Sequence, residues 1–583
     1  MSQQSKSDAN EHVNPHGGVD PDFDHSESAK RLSTVSQQTN WGQFGVLISV
    51  FFFWGFVAAS NSIFIPFCKR YFDLDQIQSQ LIGSAFYGAY FYGSLLLYFI
   101  SYITGTDLLN RIGYKKGIIY GLLISVIGAL ALAFISGSDE PTFPMILLSF
   151  FIIALGFSLQ QTAAQPFANS LGSPETGAHR LNMAGGVNSF GTLLGPVIVS
   201  FLLFGALAST AEADISSIQT LYFFLAGLFV FAAIVFAFAK LPMTTINEKL
   251  EKSPKALYTL LAIGVIFLPV LFADAINESL DIPKSYIIIA SLVLILGILF
   301  VSMGVARKNP SGWGAMAYPQ LVLGMIAIFV YVGVEVTVDN NFGALLKRPE
   351  FGGYDESENS HLIALYWGSL MIGRWTAAIS VFNLARQTKK LMTIIVPFIA
   401  FGIIVLVNWL KDSPNDDFNP IDDYKYYPIF ILLLIGANLY AQERPIKLLA
   451  TVSILGAALM ILSLATEGMV SNYAIIATGL CCSVMWPCIF SLAIAGLGKY
   501  TTQGSAFLIT MILGGAIIPP SQGAIIDLDK GSEVNGITTG PYTHLSYIVP
   551  VVCFAYLAWH ALKSRQVLKA QGLDFDKQVS GGH

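Results

Sequence analysis

Charge is what this chain most conspicuously lacks. Asp, Glu, Lys and Arg make up only 12% of its 583 residues, about half of the roughly 25% share that a soluble globular domain carries. A water-facing fold of this size would need far more ionised surface, so a soluble enzyme or binding domain is excluded. Long basic runs are missing as well and the formal net charge is only -5, which excludes nucleic acid as the natural partner. Cysteine is scarce: Cys68, Cys481, Cys482, Cys488 and Cys553 fall in or at the edge of apolar stretches, without the paired spacings of a metal site or a disulfide framework. Redox and zinc chemistry are not implied. Large hydrophilic loops are absent too, the longest being about 20 residues, too short to carry a catalytic module at a membrane surface. A membrane enzyme or sensor is therefore the weaker alternative.

Apolar residues fill the gap, at 54% of the chain. From Phe44 onward, apolar runs of roughly 16 to 25 residues alternate with short polar loops, the length that crosses about 30 Å of hydrocarbon at 1.5 Å per residue. Sixteen runs are expected to be membrane helices, over 44–66, 81–104, 117–136, 144–168, 183–207, 219–240, 256–273, 285–305, 318–338, 361–382, 391–410, 426–441, 446–465, 472–496, 505–526 and 546–562. The run at 426–441 is barely long enough to span. Residues 1–40, rich in Ser, Gln, Asn, Asp and His, cannot bury enough apolar surface to fold and read as a disordered cytoplasmic tail. They are too polar for a signal peptide, so the first apolar run is expected to be retained. Lys and Arg concentrate on the side that holds both termini, while the opposite loops carry Asp412, Asp416, Asp417, Asp422 and Asp423. That asymmetry places both termini, including a second tail at 566–583, in the cytoplasm.

The chain also repeats itself. Tyr87-Gly88 is followed by Gly93, and Trp367-Gly368 by Gly373. Gly55 precedes Gly88 by 33 residues and Gly333 precedes Gly368 by 35; Pro166 to Pro196 is 30 residues and Pro487 to Pro519 is 32. The large mismatch is Gly88 to Pro166, 78 residues, against Gly368 to Pro487, 119 residues. The excess of 41 residues is one helical hairpin, supplied by 391–441. A second hairpin, within 250–310, sits between the halves. Removing both leaves an N-terminal six-helix bundle at 41–241 and a C-terminal one within 316–565. The expected fold is an all-α polytopic membrane protein of two six-helix bundles plus two extra hairpins. Halves of this kind face each other across a midplane site in alternating-access transporters. Glycine landmarks also mark close helix packing in any bundle.

The stretch Phe51-Phe52-Phe53-Trp54-Gly55-Phe56, the run from Ser84 through Tyr87-Gly88 to Phe91, and the segment from Arg180-Leu181-Asn182 through Asn188-Ser189-Phe190-Gly191 resemble the fucose:proton symporter family of the major facilitator superfamily. Ile489-Phe490-Ser491-Leu492 and Gly514-Gly515-Ala516-Ile517-Ile518-Pro519 extend the likeness into the last third. The resemblance implies the major facilitator fold and import of a monosaccharide, of the fucose, glucose or galactose class, across a bacterial inner membrane, coupled to H+ or Na+ and with no cofactor. It covers residues 44 to 562 apart from the two hairpins. Two departures stand out. The family's fucose transporters carry one carboxylate in the first helix, in an Asn-Asp pair, and another in the fourth, in a Glu-Thr-Ala-Ala-Asn-Pro run. Here those positions read Asn61-Ser62 and Gln161-Thr162-Ala163-Ala164-Gln165-Pro166. Glucose-type members share the fourth-helix Gln but keep the first-helix Asp. Neither proton carrier can be transferred to this chain.

A sugar offers adjacent hydroxyls and an apolar CH face. Carboxamides match the hydroxyls, with two donors and an acceptor on one planar fork. In the fourth span Gln161, Gln165 and Asn169 fall at i, i+4 and i+8 on one face, with Gln160 about 100° away; such a stripe does not face lipid. Asn61, Asn182 and Asn188 are further candidates, the last at the edge of a small-residue seam formed with Gly191 and Gly195. Trp54, Tyr87, Tyr90 and Trp367 are candidate stacking surfaces. Each of these residues also has a structural reading, as interhelical hydrogen bonding or core packing. Glu335 and Arg374 are the two ionisable residues read as lying well inside spans, and a charge at the bilayer centre costs about 2.5 to 3.5 kcal/mol on insertion scales, so both should face the interior. Glu335 is the carboxylate left to couple an ion; Arg374 reads as structural, by pairing or by snorkelling. Arg111, in the loop segment Asn110-Arg111-Ile112-Gly113-Tyr114-Lys115-Lys116, resembles the superfamily's basic gating loop. A potential of 100 mV supplies about 2.3 kcal/mol per charge, enough for a roughly fifty-fold gradient; without an ion site the chain would be an uncoupled facilitator. An exporter of another small solute is the other alternative. The expected partners are a small-molecule sugar and the lipid bilayer, with the protein acting as a monomer.

Overall fold

The computed structural model describes residues 39–573 except 73, 75, 139, 173–176, 205–214, 242–251, 355–359, 383, 413–421, 442–443, 530–532, 535–536 and 539; several helical side chains, Asn61, Ser62 and Asn169 among them, also lie outside the description. The tails expected before residue 39 and after 573 therefore fall outside it. Apart from a two-residue ladder pairing Glu533-Val534 with Ile537-Thr538, the regular structure among the described residues is helical.

Each of the sixteen apolar runs coincides with a helix. These are α1 Trp41–Tyr71, α2 Gln76–Thr104, α3 Tyr114–Ser136, α4 Phe143–Ser170, α5 Gly177–Phe204 and α6 Ile215–Phe238. Then come α7 Pro254–Leu271, α8 Lys284–Lys308, α9 Pro319–Leu346, α10 Ser360–Ala378, α11 Arg386–Asp412 and α12 Pro428–Ala441. The last four are α13 Pro445–Ala465, α14 Gly468–Ile494, α15 Gly498–Asp529 and α16 Ile548–Ala570. Thirteen helices among the described residues are long and apolar enough to cross a membrane. With 14 residues, α12 reaches only about 21 Å at 1.5 Å per residue, short of a full crossing. The α9 helix runs eight residues beyond the expected end at 338, and within that extension Asn341 Nδ2 donates to the Thr337 carbonyl at 3.0 Å. Pro487 accounts for the interruption of α14 between Cys482 and Met485, since its ring excludes the carbonyl four residues earlier from a regular turn.

The packing is duplicated. The α1 helix lies on α5, α3 on α4 and α6, and α2 on α4; correspondingly α9 lies on α15, α13 on α14 and α16, and α10 on α14. The glycine landmarks sit at equivalent contacts. A Cβ on Gly55 would strike the Asn188 carbonyl of α5, and one on Gly333 would strike Ile518 of α15. Gly93 lies against Ser158 of α4 and Gly373 against Ser483 of α14. The two halves meet along two seams, α2 with α15 and α5 with α10.

The extra hairpins follow the same symmetry. A Cβ on Gly88 would lie 2.6 Å from Phe267 Cε1 of α7, and one on Gly368 would lie 2.6 Å from Ile404 Cδ1 of α11. Across the first seam, α7 packs on α2 while its partner α8 packs on α15; at the second, α11 contacts both α10 and α5. Tyr92 Oη anchors the first hairpin by donating to the Gly264 carbonyl at 2.7 Å.

Backbone cannot retreat as a side-chain tip can, so Gly55→Ala is expected to cost about 1 to 3 kcal/mol through overpacking. Gly45 on the same helix has open space around it, and Gly45→Ala should leave stability unchanged or slightly raised. Thermal melting of the detergent-solubilised variants checks the pair; equal melting temperatures would refute the close α1–α5 contact.

Candidate substrate and coupling site

Among the described residues, the candidate amides other than Asn61, together with Glu335 and Arg374, lie on α4, α5, α9 and α10. On α4, Gln160 is fully buried; it accepts from Trp54 Nε1 at 2.8 Å and donates to Ser125 Oγ at 3.2 Å. These contacts tie α1, α3 and α4 together and occupy both candidates, Trp54 and Gln160, with each other. The next residue points elsewhere: Gln161 Nε2 donates to Tyr90 Oη of α2 at 3.1 Å, and its Oε1 faces Gln165 Nε2 at 3.5 Å. Gln165 Oε1 is buried without a hydrogen-bond donor. Gln161 and Gln165 therefore face inward and keep one acceptor unused. Tyr90 is buried and stacks at 6.5 Å on half-buried Tyr87, which packs over Gly515 of the other half.

On α5, Asn188 Nδ2 donates to the Phe51 carbonyl at 3.0 Å, so Asn188 acts here as glue between α1 and α5. Asn182 is buried near the start of the same helix. The side chain of Asn61 lies outside the described residues. Arg111 is exposed on the short helix Leu108–Ile112. In the first turn of α3, Lys115 Nζ donates to the Ala237 and Ala239 carbonyls at 2.9 and 2.8 Å, where a cation complements the end of α6.

Charge is concentrated at one junction. Arg374 Nη2 pairs with Glu335 Oε1 at 3.1 Å, linking α10 to α9. Its Nη1 reaches into the other half, donating to Ser189 Oγ at 2.8 Å and to the Gly185 carbonyl at 3.5 Å. Trp375 Nε1 donates to the Gly186 carbonyl at 3.2 Å. The Gly185-Gly186 pair makes this approach feasible, since a Cβ on Gly186 would lie 2.7 Å from the Trp375 ring. Tyr366 Oη donates to the Glu335 carbonyl at 2.8 Å and fixes the facing turns of α9 and α10. Both charged side chains are thus paired inside the protein, with Arg374 acting as a bridge between halves. Further bridges are Ser84 Oγ to the Ala516 carbonyl at 2.8 Å, Gln503 Nε2 to Tyr98 Oη at 3.3 Å, and Trp41 stacked on Phe382 at 5.4 Å.

Two residues of this junction escape a hydropathy reading. Ser189 carries no signal beyond its place in a glycine-rich segment. Asp339, one turn past Glu335, lies inside α9, which corrects the expectation that Glu335 and Arg374 are the two ionisable groups within spans. Its carboxylate faces the Trp367 side chain of α10, and Tyr87 lies within electrostatic reach of it and of Glu335.

Two helical halves, duplicated in their contacts and joined by interior polar groups, define a membrane transporter rather than an enzyme. Residues 46–519 match the Major Facilitator Superfamily, and the chain belongs to it. It is 30% identical over 530 residues to a "Glucose/galactose transporter" of Brucella abortus, covering 91% of this chain and 95% of that one. It is 24% identical to the "L-fucose-proton symporter" of Escherichia coli, covering 88% and 91%. Among solved structures, the transporter FucP in the outward conformation aligns with a TM-score of 0.54 at 21% identity, over 89% of this chain and 98% of that one. A POT family transporter aligns with a TM-score of 0.51 at 14% identity, over 92% and 99%. These two likenesses establish the shared fold.

Removing one partner of a buried ion pair leaves the other uncompensated, at about 3 to 5 kcal/mol. Arg374→Ala should therefore lower the melting temperature sharply, and adding Glu335→Gln to it should restore most of the loss. No recovery in the double variant would mean that Arg374 stabilises through Ser189 and Gly185 alone.

Proposed function

We propose that this chain is a secondary active transporter that imports a monosaccharide of the glucose, galactose or fucose class by alternating access, coupled to H+ or Na+. The carrying observation is the inward amide face of α4, where Gln161 and Gln165 meet the aromatic pair Tyr87 and Tyr90. Amide forks beside flat rings fit a ligand with vicinal hydroxyls and an apolar face. Near-complete alignment with a relative named as a glucose/galactose transporter supports the same substrate class. The bacterial relatives and the asymmetry of Lys and Arg between loops support a bacterial cytoplasmic membrane, with both termini inside.

Coupling falls to Glu335. Arg374 holds this carboxylate in one half while touching Ser189 and Gly185 in the other. A rocking motion that separates α5 from α10 changes the surroundings of Arg374, and with them the affinity of Glu335 for a cation. Binding energy that differs between two states is what shifts their populations.

Uptake of labelled glucose, galactose and fucose into proteoliposomes tests this reading, with and without a sodium gradient, a pH gradient and a protonophore. One cation gradient should drive accumulation. Facilitated equilibration that ignores both gradients would identify an uncoupled carrier, and no monosaccharide flux at all would overturn the sugar assignment. Glu335→Gln should abolish accumulation while sugar exchange persists; undiminished accumulation would remove Glu335 from the coupling step.

A further inference from the structure

The amides of the proposed site are largely committed to protein partners. Gln160 is occupied by Trp54 and Ser125, Gln161 by Tyr90, and the Asn188 amide by the Phe51 carbonyl. A sugar hydroxyl entering the site needs acceptors that nothing else uses. In the N-terminal half that description fits Gln165 Oε1, which is buried and has no donor. In the C-terminal half it fits Asp339 Oδ1, which is likewise buried and without a donor, while the Trp367 side chain of α10 meets the same carboxylate.

The position of Asp339 strengthens the case. Every residue of α9 from Gln320 to Val338 is buried, as expected of a helix enclosed by others. Asp339 and Asn340 are the first after that stretch to regain accessible surface. They do so beside Gly83 of α2, where a Cβ would lie 3.8 Å from Asn340 Nδ2, so this face looks toward the opposite half. Half-buried Trp367 meets the carboxylate with its side chain, and half-buried Tyr87 lies within electrostatic reach of it. Glu335, one turn away, is paired with Arg374. Among the described residues no ion pair engages Asp339.

We infer that Asp339 accepts hydrogen bonds from hydroxyls of the transported sugar, with Trp367 and Tyr87 presenting flat faces to its CH surface. This deepens the sugar-transport reading and rests on it. An ionised carboxylate is an acceptor with about four lone-pair directions and suits two adjacent hydroxyls. Binding energy that a hydroxyl gains at this carboxylate in one conformation and not in the other shifts their populations.

The test measures uptake of D-glucose, D-galactose and L-fucose, and of monodeoxy analogues of whichever is transported, by wild type, Asp339→Asn and Asp339→Ala. Melting temperatures of both variants confirm that each is folded, and the near-isosteric Asn variant preserves the packing. For the parent sugar, KM should rise about tenfold or more in Asp339→Ala, as expected for a lost hydrogen bond to a charged group, with the maximal rate changed less than about threefold. For the analogue lacking the hydroxyl that Asp339 receives, wild type and variant should have the same KM. An equal KM increase for every analogue would mean a general distortion and overturn the assignment. Unchanged KM combined with lost gradient-driven accumulation would make Asp339 a coupling group instead. Absence of monosaccharide uptake by wild type would defeat the sugar-transport reading itself, an outcome separable because it does not depend on residue 339.

Discussion

A guanidinium inside a membrane protein must be surrounded by acceptors, and in this chain that requirement fixes how the halves meet. Arg374 draws Glu335 from α9 and Ser189 and Gly185 from α5 into one cluster. Lys could not serve equally, because the planar fork sends separate N–H groups to a carboxylate on one side and to neutral oxygens on the other. Around this junction, Gly185 and Gly186 give α10 room, and Trp375 adds a second bond to the same turn of α5. An interior ion pair therefore lies on the seam between the two halves.

The second constraint is close packing between helices that share no hydrophobic driving force in lipid. Gly55 and Gly333 occupy matching crossings, as do Gly93 and Gly373. Because the same notches appear in both halves, the seams α2–α15 and α5–α10 are counterparts of one another. A movement that opens one end of the molecule can then be mirrored at the other without new kinds of contact.

Much of this was legible in the sequence. The sixteen runs mark sixteen helices, because helices apolar on nearly every face leave a simple hydropathy signal. The matched spacings of Gly55, Gly88 and Gly93 with Gly333, Gly368 and Gly373 reported the duplicated packing, since close approach restricts residue type at a fixed place on each helix. Other features were not legible. Asp339 was hidden because hydropathy falls at Asp339-Asn340-Asn341 while the helix continues to Leu346. The pairing of Trp54 with Gln160 joins residues 106 apart, and no periodicity within one helix encodes a partner on another. Likewise the i, i+4 spacing of Gln161 and Gln165 located a polar face, but which amide atoms remain unmet depends on Tyr90, which approaches from α2.

The added hairpins dock at the equivalent notches Gly88 and Gly368, each lying against both members of one seam. When two bundles tilt apart in a bilayer, the slots between them open sideways as well as toward water, and acyl tails can wedge into the gap. On the transport reading proposed above, a helical pair stationed along each slot would act as a bulkhead against hydrocarbon. A hydrophilic cargo would then meet protein and water rather than acyl tails.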